Sequence, residues 1–202
     1  MEYLVRAASE TDMKEVAQVH KICFPSSFST KLGVALLSRY YTEFYKESPY
    51  LFYVCTNNDG AICGFVMGYV LGKTNATKSF LKKNVFLLGI KVLSLLIRLD
   101  KLTWKKVGNT LFKKKNQSSN TNHDKDGQGD LLSICVTDEM KGTGAAAALV
   151  EEYHKALIAH GHKTCYLTCE TSNPRGMAFY KKLGYDISEQ TPEKICFRKD
   201  LA

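Results

Sequence analysis

The sequence predicts one α/β domain, spanning residues 1–202, in which helices and strands alternate without an internal repeat. Two observations carry this prediction. A chain of 202 residues is long enough to bury a real core but leaves little room for a second domain. Helical and strand periodicities also succeed one another along the chain, with turn residues between them.

The N-terminal part is predicted to be rich in helix. Its elements are a strand at 3–6, a helix from 13 to about 25, a helix at 30–45, and strands at 51–56 and 61–71. In the first helix, Met13, Val16 and Val19 recur at three-residue spacing, which is typical of one apolar face. The turn Asn57-Asn58-Asp59-Gly60 predicts that the two later strands form an antiparallel hairpin.

The segment 73–129 is predicted to be a basic helical insertion followed by a mobile polar loop. Between positions 73 and 116 it has twelve Lys or Arg and one acid, Asp100, and therefore a net charge of +11. The whole chain has a net charge of +8, so the rest of the chain has a net charge of −3. Apolar residues give 80–97 helical character, but lysines interrupt them too often for a bilayer span of about 20 apolar residues. Residues 116–129 have no apolar side chain to bury.

The C-terminal part is predicted to be strand, helix, strand, helix and two closing strands, at 131–136, 144–158, 165–169, 174–182, 185–188 and 194–198. Its first strand runs into Gly142 and Gly144 and then a helix, whose N-terminal amides favour a phosphate. A P-loop is excluded because its Gly-Lys-Ser/Thr ending is absent. A Rossmann turn fits Gly142-x-Gly144-x-x-Ala147 locally, but the fifty-five residues that follow are too few for that fold.

This part contains the run 141–146 around the two glycines and, further on, Asn173 and Tyr180 followed by the run 182–185. These two motifs resemble those of the GNAT superfamily of N-acetyltransferases. The run Lys141-Gly142-Thr143-Gly144-Ala145-Ala146 resembles its pyrophosphate-binding signature, Arg/Gln-x-x-Gly-x-Gly/Ala. Lys141 departs from it, since Lys keeps the charge but lacks the planar fork of Arg. Asn173, seven residues before Tyr180, and Lys182-Leu183-Gly184-Tyr185 are similar to the family's closing helix, with Tyr185 in place of Phe. The resemblance covers about residues 131–185.

This resemblance implies a fold class and a co-substrate, acetyl-CoA. The fold would be a GNAT-like mixed, mostly antiparallel sheet flanked by helices and splayed in the middle, with the basic helical insertion between the third and fourth strands. The first C-terminal strand would hold the pantetheine arm, the glycine turn the pyrophosphate, and the Asn side chain the cofactor's amides. The implied cofactor-binding residues are Ile134, Cys135, Val136, Lys141, Gly142, Thr143, Gly144, Ala145, Ala146 and Asn173.

The resemblance also implies a catalytic acid. Direct attack by an amine on a thioester requires a neutral amine, a polarised carbonyl and a proton for the leaving thiolate. Tyr180 is the predicted acid, although its apolar neighbours would equally suit a core aromatic. The base stays open between Glu170, which is preferred, and Asp138. Asn173 suits both a helix cap and a cofactor contact.

The cysteines and histidines are predicted to have neither a catalytic nor a metal-binding role. The seven cysteines are scattered in apolar runs, which predicts reduced core residues rather than a disulfide framework. The five histidines lack the spacing of a metal site and are expected to be solvated, and no metal is expected. The N-terminus shows no basic-then-apolar leader, so a cytoplasmic protein is expected.

The predicted function is acetyl transfer from acetyl-CoA to a small-molecule primary amine. The stretch 23–33 resembles GNAT proteins of bacterial surface-polysaccharide synthesis, which favours an amino sugar or sugar nucleotide as acceptor. Protein, peptide or other small amines, and a non-catalytic acyl-CoA-binding module, are the alternatives. The basic segment 73–116 predicts contact with an anionic ligand or with the inner membrane face, whereas the scarcity of aromatics among its lysines disfavours nucleic acid. A homodimer is compatible with the sequence.

Overall fold

The fold is a seven-stranded mixed sheet between two helical layers, seen in a computed structural model that describes residues 2–97 and 127–201. The strands are β1 Leu4–Ala7, β2 Phe52–Thr56, β3 Ile62–Val70, β4 Gly129–Val136, β5 Thr164–Glu170, β6 Asp186–Gln190 and β7 Lys194–Asp200. The helices are α1 Met13–Cys23, α2 Phe28–Leu32, α3 Val34–Glu47, α4 Ala76–Ile97, α5 Ala145–Ala159 and α6 Pro174–Lys182.

The sheet is mostly antiparallel, as the family resemblance implied. Its order is β1-β2-β3-β4-β5-β7-β6, and each neighbouring pair except β4–β5 is antiparallel. The Asn57–Gly60 turn joins β2 and β3 as the expected hairpin, with the amides of Asp59 and Ala61 donating to the Asn57 side chain. This topology also excludes the parallel Rossmann sheet.

Each face of the sheet has its own apolar core. On one face, α1 and α3 pack over β2 and β3 around Tyr41, Phe52 and Phe65. On the other, α5 packs over β1 to β4 around Tyr153, and α6 packs against the same core, where Tyr180 contacts Phe197 of β7. Because helices cover both faces, β3 is buried along nearly its whole length. The helices on the two faces thereby hold the central strands in fixed positions.

A β-bulge in β4 separates this strand from β5. Met67 pairs with Ser133 and Gly68 with Leu131, so Leu132 is an additional residue on β4. A bulge bends its strand and increases the local twist. Within the described strands, pairing of β4 with β5 runs from Gly129 to Leu131 and stops at the same level as the bulge. The carboxyl ends of the two parallel strands therefore diverge, where the family resemblance implied a splay.

The single helix predicted at 30–45 is in fact two helices. The Ser27 side chain caps α2 by accepting a 3.1 Å hydrogen bond from the Thr30 amide. Gly33 then has φ +94°, a conformation that other residues rarely adopt, and α3 begins directly after it. The prediction is wrong because the apolar periodicity continues across a glycine that leaves the right-handed region.

Helix α4 has an exposed apolar stripe. The residues that form it recur at three- and four-residue spacing and are each more than half exposed: Phe86, Ile90, Leu93 and Ile97. Lys83 on this helix is paired with Glu43 on α3 at 2.7 Å. In the ranges that the structure describes, no helix has the length and apolarity needed to cross a membrane. The remaining basic residues and most of the predicted mobile loop, at 98–126, lie outside the described residues.

His20 and His154 are not solvated, which corrects the expectation for these two histidines. His20 is buried with its Nδ1 atom 2.6 Å from Tyr41 Oη, and His154 Nε2 lies 2.6 Å from Tyr185 Oη. Burial lowers the pKa of both imidazoles to about 4. Each tyrosine partner comes from an element distant in the chain, so local sequence does not indicate the pairing.

Stability is expected to fall as the pH is lowered from about 6.5 to about 4. The imidazole pKa is about 6.5 in the unfolded chain and about 4 in the folded one for both His20 and His154. Between these values the unfolded chain binds more protons, so acid favours unfolding, and the contribution is fully present above 6.5. Thermal melts across this range measure the effect. His154→Gln should flatten the slope, and an unchanged slope would contradict the assignment.

Candidate active site

The divergence of β4 and β5 opens a cleft of about 740 Å³, a volume suited to a cofactor. Residues from four segments line it: the end of α1 with the loop after it, the outer half of β4, the turn before α5, and α6. The α1 side is mainly apolar, with Ile22, Phe24 and Pro25. The cleft therefore has an apolar wall on one side and the glycine turn on another.

Most of the predicted site residues meet in this cleft. Those that line it are Ile134, Cys135, Val136, Lys141, Gly142, Gly144, Ala146, Asn173 and Tyr180. Thr143 and Ala145 lie behind this surface. The Thr143 hydroxyl donates to the Met140 carbonyl at 2.8 Å and accepts from the Ala145 amide at 3.3 Å. Ala145 is fully buried, so both residues shape the turn from within.

The turn before α5 is built to accept an anion. Gly142 and Gly144 have φ angles of 84° and 94°, which only glycine adopts readily. Gly144 is the N-cap of α5, so the amides of Ala146 and Ala147 have no carbonyl of a preceding helical turn to bind. Both alanines line the cleft. Free amides and the positive end of the helix dipole together favour a phosphate at this point.

The charges on the cleft lining are mainly positive. Lys141, Arg175 and Lys182 line it, and Asp138 is the one acid among the described lining residues. Lys141 Nζ is hydrogen-bonded to Asp138, which lowers the pKa of that carboxyl. Sequence reasoning missed Arg175 and Lys182. Their spacing of seven residues on a helix that begins at Pro174 was the available signal, because it puts both on one face.

Asn173, the N-cap of α6, and Tyr180, on the helix itself, are two turns apart and both line the cleft. The Asn173 side chain accepts from the Gly176 amide at 2.9 Å, so it caps the helix and also lines the cleft. The Tyr180 ring packs against Tyr185 and Phe197. Burial raises the pKa of the Tyr180 phenol, which keeps it protonated at neutral pH.

The two candidate bases differ in position. Glu170 ends β5, is exposed, and is not among the described lining residues; the Ser172 hydroxyl donates to its carboxylate at 3.4 Å. Because side chains alternate along a strand, it lies on the opposite sheet face from buried Cys169. Asp138 lines the cleft, but its lowered pKa makes it a weaker base. Across residues 2–97 and 127–201, no cluster of three His, Cys, Asp or Glu can hold a metal.

The fold matches that of solved N-acetyltransferases. Arylalkylamine N-acetyltransferase 2 from Aedes aegypti superimposes with a TM-score of 0.67 at 17% identity over 100% of both chains. The ribosomal-protein-S18-alanine N-acetyltransferase from Escherichia coli gives a TM-score of 0.60 at 14% identity, over 100% of this chain and 95% of that one. The PaiA N-acetyltransferase from Thermoplasma acidophilum, solved with coenzyme A, gives 0.59 at 14% identity over 99% of each chain.

A family model described as FR47-like protein matches residues 111–192, which include the glycine turn and α6. No curated protein matches the sequence. The fold is therefore the one that the sequence resemblance implied. They give no support to the association with surface-polysaccharide synthesis.

Proposed function

We propose that this protein is an N-acetyltransferase that moves an acetyl group from acetyl-CoA to a primary amine. The observation that carries the proposal is the cleft between β4 and β5, which brings an anion-binding turn and a protonated tyrosine onto one surface. A cleft without the anion-binding turn would suit many kinds of ligand, and the turn without the cleft would suit many phosphorylated ligands. Their combination favours a polyphosphorylated ligand with a reactive end.

The residues present fit acetyl-CoA, which supplies an activated acetyl thioester. Backbone groups of Ile134 to Val136 would hold the pantetheine arm on the diverging part of β4. The amides of Ala146 and Ala147 would receive the pyrophosphate, and Lys141 would leave Asp138 for the same anion. Arg175 and Lys182 add the positive charge that the remaining phosphate needs.

The proton transfers fall to residues of this chain. Tyr180 holds a proton on Oη and would donate it to the leaving sulfur, because burial favours its neutral form. The amine must lose a proton before or during its attack. Glu170 is retained as the proposed base and would act through water from its exposed position at the end of β5.

The apolar wall of the cleft favours an acceptor whose amine is attached to an apolar body. The side chains of Ile22, Phe24 and Pro25 have no polar atom that could form a hydrogen bond with a sugar hydroxyl. An arylalkylamine or the N-terminus of a peptide would bury apolar surface there. We therefore rank these acceptors above an amino sugar, and we rank a cationic polyamine last because the lining is already positive.

The test is titration calorimetry with acetyl-CoA, followed by thiol release with arylalkylamines, N-terminal peptides, amino sugars and polyamines. Micromolar binding with thiol release on one acceptor class supports the proposal and identifies the acceptor. Binding without thiol release on any acceptor would favour the non-catalytic acyl-CoA-binding module. A folded sample that binds neither acetyl-CoA nor CoA would overturn the proposal.

Arg175→Ala is expected to weaken CoA binding by about threefold to tenfold, because a charge-assisted contact to phosphate is lost. The salt dependence of binding should also decrease, since fewer counterions are displaced. Arg198→Ala is the matched control, because Arg198 is exposed, pairs with Asp200 at 2.7 Å and does not line the cleft. Calorimetry at two salt concentrations measures both effects. Equal losses in the two variants would contradict the assignment.

A further inference from the structure

Helix α4 has a first part that is packed on the rest of the protein. All the buried residues of this helix lie in that part: Ala76, Phe80 and Asn84. The Phe80 ring meets Tyr40 of α3 edge-on, with 5.4 Å between the ring centroids. The ion pair of Lys83 with Glu43 joins the same two helices. The first part of α4, residues 76–84, is therefore anchored on α3.

A kink at Asn84 separates this anchored part from the rest of the helix. Asn84 has φ −120° and ψ 15°, which is outside the helical region. Its side-chain amide donates to the Phe80 carbonyl at 2.9 Å, and its side-chain oxygen accepts from Arg39 of α3 at 2.9 Å. These hydrogen bonds fix the kink, so contacts with α3 set the direction of the second part of α4, residues 85–97.

The second part of α4 is almost entirely apolar, yet none of its residues is buried. Its only polar side chains are those of Lys91 and Ser94. Residues of the apolar stripe are 53–75% exposed, and the exposed side chains of Val85 and Leu87 extend the apolar surface on either side of it. A helix that is apolar on most sides is normally covered. An exposed apolar surface of this kind marks an interaction site.

The charges of α4 are all positive. The helix has four lysines, and the sequence has no Asp or Glu from position 72 to position 99. Lys78 and Lys82 are exposed and precede Phe86 at four-residue spacing, so they continue the apolar stripe toward the start of the helix. The surface that covers the stripe must therefore be nonpolar inside and negatively charged at its edge.

An anionic membrane surface has both properties, whereas two other partners lack one of them. In a second copy of the chain, the same helix has no acid to pair with these lysines, and like charges would repel across the interface. A nucleic acid would match the charge but leave the stripe in water. At 1.5 Å per residue the second part of α4 is about 20 Å long, shorter than the hydrocarbon core of about 30 Å.

We propose that α4 docks this protein on an anionic membrane surface. The apolar stripe lies at the boundary of headgroups and acyl chains, in the plane of the bilayer, and Lys78 and Lys82 contact the anionic headgroups. Each lysine near such a surface strengthens binding by about fivefold, and each embedded apolar side chain adds to it. The proposal does not rest on the proposed function, because vesicle binding requires no acetyl-CoA.

The test is flotation of the full-length protein with vesicles of equal parts phosphatidylserine and phosphatidylcholine, compared with phosphatidylcholine alone. We expect binding to the anionic vesicles, and weaker binding at high salt. Ile90→Gln should weaken this binding by about threefold to tenfold, because one embedded side chain is lost. Ile158→Gln is the matched control. Ile158 is 52% exposed against 53% for Ile90, but it lies on α5, on the other face of the sheet, and its variant should bind normally.

A second pair of variants tests the charges. Lys78→Gln combined with Lys82→Gln should weaken binding to the anionic vesicles by about tenfold to thirtyfold. Binding should also become less dependent on salt. Lys163→Gln combined with Lys194→Gln removes two exposed lysines outside α4 and should leave binding unchanged.

Three results would overturn the proposal. The first is a protein that does not float with the anionic vesicles, and the second is an equal loss of binding in Ile90→Gln and Ile158→Gln. The third is a dimer in lipid-free solution that Ile90→Gln dissociates, measured by light scattering, which would assign the stripe to a second copy. If the protein binds the vesicles but neither acetyl-CoA nor CoA, the proposed function fails and the membrane surface stands.

Discussion

Replacing Tyr180 with phenylalanine is expected to lower kcat by about 10²- to 10⁴-fold, the usual contribution of general acid catalysis. The affinity for acetyl-CoA should stay within about twofold, since the ring that packs against Tyr185 and Phe197 is retained. The reason is that a CoA thiolate without a proton donor is a poorer leaving group. Steady-state kinetics with calorimetry on the same variant separates the two quantities.

Tyr185→Phe is the matched control for this prediction. Tyr185 lies five residues further on, touches the Tyr180 ring, and does not line the cleft. Its hydroxyl contacts His154 and Cys165 instead, at 2.6 and 3.1 Å. The variant should keep its kcat and lose some stability, because His154 loses a partner. Equal kcat losses in both variants, or none in Tyr180→Phe, would exclude Tyr180 as the acid.

Gly142→Ala is expected to weaken acetyl-CoA binding by roughly 10- to 100-fold, which corresponds to losing about 1.5–3 kcal/mol of hydrogen bonding to a charged group. Gly142 has φ +84° and open space where a Cβ would be placed. An alanine there disfavours this backbone conformation and puts a methyl group where the pyrophosphate of the proposed ligand would approach. Calorimetry with acetyl-CoA measures the change in affinity.

The backbone effect of this substitution can be measured separately. Gly161, which follows α5, has φ +80° and equally open space, but it does not line the cleft. Gly161→Ala should therefore destabilise the fold by a similar roughly 1–2 kcal/mol, the penalty of the left-handed conformation, and leave acetyl-CoA affinity unchanged. If both variants lose affinity alike, the turn at Gly142 is not the phosphate site.

The local features of this fold were predictable because each depends on residues close in the chain. Asn173 before Pro174 predicted where α6 begins, and the helix runs over the predicted range 174–182. The turn at Gly142 and Gly144 could be predicted from the change of pattern from a buried strand to a helix. Both glycines have the positive φ angles that such a turn uses. The family resemblance supplied the order of the remaining parts.

Features that depend on distant residues were not predictable from local sequence. The bulge at Leu132 arises from the register of β4 against β3, and nothing in the apolar run of β4 marks an additional residue. The burial of His20 depends on Tyr41 from another helix.

The bulge at Leu132 has a mechanical consequence. Strands β1–β4 form one half-sheet and β5–β7 another, and within the described strands they share backbone pairing over the three positions from Gly129 to Leu131 alone. Beyond these three paired positions, only side-chain packing holds the two half-sheets together. A ligand bound along the gap would contact both half-sheets and stabilise them together. The two halves would therefore unfold more cooperatively when the ligand is bound.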